Sequence, residues 1–167
     1  GGVVPDIISL AKSLGSGVPV GACLVNEKVS ANVKVNDLGT TFGGGMLAMA
    51  AVLATLEAIE NDGMIANARM VEQHLRNALG GVGSIVSIKG KGCLLGIEFD
   101  GPCASIHQEL LAHNIITGTS SDPNVLRLLP PLCVSAEEME MLVEVVRNTG
   151  SSPQWRERAS RNAEARP

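Results

Sequence analysis

Aromatic residues are almost missing from this chain, which has no tyrosine, two phenylalanines and one tryptophan in 167 residues. No ring is left to sandwich a flat ligand except Phe42, whose place beside two threonines suggests loop packing. Excess positive charge is also absent. A net charge of −4 and a pI near 5.4 offer no basic surface for nucleic acid or anionic lipid. No apolar run approaches the roughly 18 to 20 residues needed to span a bilayer, and the start is not a charged-then-apolar signal segment. Cys23, Cys93, Cys103 and Cys133 stand far apart with no C-x-x-C pair, which reads as buried free thiols in a reducing cytoplasm. His74, His107 and His113 lack metal-ligand spacing, so no metal site is expected, and His107 and His113 read as solvated helix residues. Lys89-Gly90-Lys91-Gly92 lacks the pattern of a phosphate loop and reads as a solvated turn. There is no internal repeat.

The hydrophobic content of 45% and mean hydropathy of +0.22 are those of a globular chain. Ile7 to Leu10 and Ala22 to Val25 are short apolar runs bounded by Gly and Pro, predicting buried strands of a sheet covered on both sides. Met46 to Asn61 is almost wholly apolar, predicting a helix buried on most of its surface and broken by Asp62-Gly63. From Met64 to Leu79 apolar residues recur every three or four positions, as on an amphipathic surface helix ending at Gly80-Gly81. Val82 to Lys89 and Cys93 to Phe99 read as an antiparallel hairpin turning at Gly90-Lys91-Gly92. A helix from Cys103 to His113, a short strand at Ile115 to Thr117, a strand around Arg127 and a helix from Ala136 to Asn148 follow. Ser135 and Glu138 are spaced as a capping box. Residues 150–167 are polar and arginine-rich, reading as a mobile tail that Trp155 either anchors or leaves exposed.

Three places carry candidate chemistry. Lys12 follows the run Pro5-Asp6-Ile7-Ile8-Ser9-Leu10-Ala11 and precedes a glycine-rich turn through Ala22. Burial at a strand end disfavours the ammonium form, leaving more of the free nucleophilic amine that a Schiff-base lysine needs, although most lysines at strand ends are solvated. In Gly39-Thr40-Thr41-Phe42-Gly43-Gly44-Gly45, glycines permit close backbone approach, and two hydroxyls beside a helix start suit a phosphate. The same residues would serve as an ordinary loop before a helix. Arg127, alternating with apolar neighbours in Asn124-Val125-Leu126-Arg127-Leu128-Leu129-Pro130-Pro131, is costly to bury unpaired, so it faces a carboxylate or a cleft, or caps its strand in an ion pair.

Taken together, these three segments resemble the class III pyridoxal-phosphate-dependent aminotransferases, the group containing acetylornithine, ornithine and 4-aminobutyrate aminotransferases. The resemblance implies an α/β fold: the C-terminal part of a fold-type I PLP-dependent transferase, with the end of the large-domain sheet in residues 1–62 and an α/β small domain in 63–149. It implies pyridoxal 5'-phosphate as cofactor, held by Lys12 as a Schiff base, with Lys12 then moving the substrate proton. By the same resemblance Thr41 contacts the cofactor phosphate across a dimer interface, Thr40 lies near the substrate, and Arg127 stands at the mouth of the site for a substrate carboxylate or a gating glutamate. One departure is Gly45-Met46, where the family often has Asn-Pro to begin the following helix.

The resemblance further implies a cytoplasmic homodimer moving the ω-amino group of N-acetylornithine or a similar amino acid to 2-oxoglutarate, in arginine biosynthesis. Ornithine and 4-aminobutyrate aminotransferases, glutamate-1-semialdehyde aminomutase and an inactive structural fragment are the alternatives. The family's pyridine-nitrogen aspartate, ring-stacking aromatic and phosphate-binding glycine turn lie upstream of the lysine strand and are not in this sequence. The chain is therefore expected to be a C-terminal piece that is a poor catalyst alone.

Overall fold

A computed structural model describes residues 2–153, 155 and 157. The chain forms two compact units, Gly1–Asp62 and Gly63–Pro167. In the first, strands β1 (Ile7–Leu10) and β2 (Ala22–Val25) form an antiparallel pair in which Ile7 faces Val25 and Leu10 faces Ala22. A 3-10 turn, Lys12–Gly15, leaves β1. Helix α1 (Glu27–Ser30) follows β2, and the sequence reading missed it; its signal was Asn26, whose side chain accepts from the Val29 N–H as an N-cap. Helix α2 (Met46–Asn61) ends this unit.

The expected elements form here, but the expected burial does not. Both strands are exposed throughout, and α2 has no buried residue, with Met46 89% and Leu47 76% exposed. Two strands make no second layer, so nothing among the described residues of this unit covers their faces. Phe42, expected to pack in its loop, is also exposed.

The second unit has its own core. Gly63 takes φ 64, a left-handed conformation that separates α2 from α3 (Met64–Leu79). Ala68, Val71, Leu75 and Leu79 are the buried stripe of α3. Strands β3 (Ile85–Lys91), β4 (Leu94–Phe99) and β5 (Val125–Leu128) make an antiparallel sheet in that order. Helices α4 (Ala104–Ala112) and α5 (Ala136–Gly150) complete the unit. Strand alternation puts Leu95, Ile97 and Phe99 of β4, with Leu126 and Leu128 of β5, into one cluster with Leu75, Ile106, Leu110, Val143 and Val146. The opposite face carries Gly96, Glu98 and Arg127. The Ser135 and Glu138 capping box starts α5 as expected.

Several expectations need correction. The hairpin turns at Gly92-Cys93, because Gly90 stays paired with Leu95 and Lys91 with Leu94. The Arg76 guanidinium donates to the Ile88 and Gly90 carbonyls and pairs with Glu72 at 3.0 Å. Glu72 in turn accepts the Gly92 N–H at 2.6 Å, and that bond, then Arg76, holds its carboxyl below the usual range. The strand expected at Ile115 to Thr117 reduces to a single bridge, Gly118 with Arg127.

The four thiols are free, but only Cys103 is buried; Cys93 is intermediate, and Cys23 and Cys133 are exposed. Burial pushes the Cys93 and Cys103 thiols up. His107 is not merely solvated, since its Nδ1 lies 2.8 Å from the Thr117 hydroxyl. Trp155 is buried, stacked at a tilt on Phe99 with ring centres 5.5 Å apart, while its Nε1–H donates to Asp100 at 2.9 Å. Residues 158–167 of the expected tail lie outside the described residues.

Candidate functional site

Lys12 occupies a strained position. Ala11 is extended, and Lys12 then turns left-handed at φ 56, a conformation that costs a residue with a Cβ about 1–2 kcal/mol. Ser16 and Gly17 continue the positive-φ turn at φ 45 and 105. Gly15 is buried against Val20; a Cβ there would come within 2.8 Å of a Val20 methyl. Helix α2 buttresses the turn, with the Thr55 hydroxyl 3.2 Å from the Ser16 hydroxyl. The Lys12 side chain is thus carried on a turn packed against α2. Lys12 is exposed, so the described residues do not bury it as expected. Among the described residues no carboxylate pairs with it.

Thr40 and Thr41 open the turn that precedes α2. The Gly43 N–H donates to the Thr40 carbonyl at 3.4 Å, the Gly45 N–H to Phe42 at 3.2 Å, and Gly44 takes φ 69. Gly45 caps α2 without a side chain, so the first-turn N–H groups receive no side-chain acceptor. Both threonines are exposed, and neither hydroxyl has a hydrogen-bond partner among the described residues. No bond joins Lys12 to either threonine among those residues. Arg127 belongs to the other unit, on the open face of β5. It is exposed, and among the described residues its guanidinium has neither a carboxylate nor a hydrogen-bond partner, so the ion-paired strand cap is not formed.

A lysine amine after a strand can condense with an aldehyde, while two hydroxyls beside a helix start and a guanidinium, none with a partner among the described residues, are donors for a phosphate and a carboxylate. Residues 1–149 match the family described as Aminotransferase class-III. The chain belongs to that family. It is 41% identical over 146 residues to acetylornithine aminotransferase 1 of Bordetella bronchiseptica, covering 85% of this chain and 37% of that protein. Against the acetylornithine aminotransferase of Archaeoglobus fulgidus it is 36% identical over 148 residues, covering 88% and 38%.

Among solved structures, the acetylornithine aminotransferase of Elizabethkingia anophelis superposes with TM-score 0.77 at 27% identity, covering 88% of this chain and 41% of that one. The ornithine delta-aminotransferase of Plasmodium falciparum gives 0.74 at 31%, covering 89% and 40%. The chain thus spans well under half the length of the class III relatives it matches. Its fold is that of the corresponding part of a PLP-dependent aminotransferase.

A groove of about 400 Å³ beside β5, lined by Ile115, Thr117, Leu128, Pro130 and Met139, is mostly apolar. Its carboxylate, Glu138, is committed to the cap of α5. Among the described residues no cluster of three or more His, Cys, Asp or Glu could hold a metal, and no helix is long and apolar enough to cross a membrane.

Proposed function

We propose that this chain works within a pyridoxal 5'-phosphate-dependent aminotransferase that transfers the ω-amino group of N-acetylornithine or a similar amino acid to 2-oxoglutarate. The observation that carries the reading is Lys12 itself, an unpaired amine on a strained backbone at the family's lysine motif. Strain of that kind persists only where surrounding structure holds it, and it gathers at functional sites. The residues present fit the cofactor: Lys12 supplies the amine for its aldehyde, and Thr41 a hydroxyl for its phosphate.

Pyridoxal phosphate supplies an electron sink for the bond broken at the substrate carbon. Lys12 would hold the cofactor and, once displaced by the substrate amine, carry the proton on its Nζ away from the substrate carbon. Thr40 would lie against the substrate, and Arg127 would pair with a substrate carboxylate, a geometry that suits a planar guanidinium. A homodimeric, cytoplasmic enzyme with the site between subunits is part of this reading; its dimeric part is supported by the Thr41 hydroxyl having no hydrogen-bond partner among the described residues.

A second reading, that the chain alone is an inactive structural relative, is favoured by the uncovered strands and by α2. One experiment separates the two. The chain is combined with the upstream half of the family fold, loaded with pyridoxal phosphate, reduced with borohydride and mapped by mass spectrometry. Label on Lys12 that is lost in Lys12→Ala supports the aminotransferase reading; label elsewhere, or cofactor absorbance unchanged in Lys12→Ala, defeats it.

A further inference from the structure

Four residues stand in one row across the second unit's sheet. Gly118 bridges Arg127, Arg127 faces Gly96 on β4, and Gly96 faces Lys89 on β3. Directly opposed residues in antiparallel strands project to the same face, and burial alternation on β5 puts this row on the face away from the core. Arg127 is therefore flanked on both sides by residues without side chains.

The space beside it is already used. A Cβ built on Gly118 would lie 3.1 Å from Arg127 Nε and 3.4 Å from its second terminal nitrogen, so the guanidinium rests where a Gly118 side chain would project. The bed is fixed. Gly118 and Arg127 exchange backbone hydrogen bonds of 2.8 and 2.9 Å, and the neighbouring Thr117 hydroxyl is held by His107 of α4.

Charge completes the arrangement. Glu98 is the one acidic residue in the three strands and a diagonal neighbour of Arg127. Its carboxylate accepts from the Ser87 hydroxyl and pairs with Lys89 Nζ at 3.0 Å. The acid that could neutralise Arg127 is thus committed on the far side of Gly96.

We propose that Gly118 is a positioning residue for Arg127: its bare backbone beds the guanidinium, while Ser87 and Lys89 draw off Glu98, leaving Arg127 aimed and uncompensated for a carboxylate of an amino acid or dicarboxylic acid. This rests on the proposed carboxylate role of Arg127. The first consequence is mechanical. A Cβ at 118 makes the guanidinium give by a few tenths of an ångström, and a branched side chain displaces it further, loosening it without breaking the backbone bridge.

The test uses the isotope-labelled chain and nuclear magnetic resonance of arginine Nε–Hε groups, with glutarate as the carboxylate probe and the exposed Arg69 as reference. Wild-type Arg127 is expected to be more ordered than Arg69 and to show a saturable shift with glutarate. Gly118→Val is expected to reduce that order to the level of Arg69 and to weaken glutarate at least tenfold, with the Val125–Leu128 amides unchanged. Gly118→Ala, with a smaller effect in the same direction, replaces it should valine disturb those amides. An Arg127 as mobile as Arg69 in the wild type, or equally ordered in wild type and variant, overturns the role of Gly118. Order lost in the variant with no glutarate response in the wild type, or glutarate affinity kept in Arg127→Lys, overturns the carboxylate reading instead.

Discussion

Replacing Trp155 by alanine tests whether the C-terminal residues are part of the second unit or merely follow it. The indole is 4% exposed, packs on Phe99 at 5.5 Å and donates to Asp100 at 2.9 Å. Emptying a buried aromatic site costs about 3–5 kcal/mol. With a urea slope of about 1.5 kcal/mol per molar for a domain of this size, a loss of about 4 kcal/mol lowers the unfolding midpoint by about 2.7 M. Trp155→Phe keeps a ring against Phe99 but loses the hydrogen bond, and because Asp100 is exposed it can take water instead, so about 1 kcal/mol, or about 0.7 M, is expected. Far-ultraviolet circular dichroism reads both variants without depending on the chain's single tryptophan. A Trp155→Ala midpoint within about 0.3 M of wild type would refute the packing argument, since exposed substitutions usually stay within about 0.5 kcal/mol.

Two further outcomes follow from the site. The Ser87 hydroxyl, ahead of Lys89, holds the Glu98 carboxyl below its usual value of 4.5, so this pairing stabilises the sheet above that pH and is lost as pH falls through the depressed value; carboxyl titration by nuclear magnetic resonance should show Ser87→Ala raising the Glu98 midpoint more than Lys89→Met does, and the reverse order would sink the assignment. Lys12→Gly removes a Cβ from a left-handed position but adds freedom to the unfolded chain, so it is expected to raise thermal stability modestly, by up to about 1 kcal/mol, while abolishing borohydride labelling; a variant that is less stable would show that the strain at φ 56 is smaller than that entropic cost.

Element boundaries were legible because they depend on local pattern. The apolar run Met46 to Asn61 is a helix over those residues, and Met64 to Leu79 shows its buried stripe where a period of 3.6 places it. Burial was not legible, because it depends on what packs from elsewhere. β1, β2 and α2 are as apolar as expected, yet both strands are exposed and α2 has no buried residue. The hairpin turn slipped because glycines at 90 and 92 both take positive φ, and only pairing across the strands decides which of them turns the chain. Among candidate residues, Lys12, Thr40, Thr41 and Arg127 stood out by residue type in company. Gly118 did not, since a glycine in a polar loop carries no sign that an arginine nine positions on will lie across it.

The candidate residues of the two units stand on different kinds of support. Arg127 stands on a sheet whose other face is sealed by Leu95, Ile97, Leu126 and Leu128, so the strand beneath it is held by a core within its own unit. Lys12, Thr40 and Thr41 stand on a strand pair and a helix whose apolar surface the described residues of their unit leave open. Burying apolar surface supplies about 25 cal/mol per Å², and an exposed helix as apolar as α2 forgoes that stabilisation along its length. Covering layers would therefore both stabilise the lysine turn and exclude water from the amine, which the described residues do not do. The two groups of candidate residues thus call for different experiments: the order of Arg127 is a property of the second unit's own sheet, whereas labelling of Lys12 is to be measured with the upstream half of the family fold supplied.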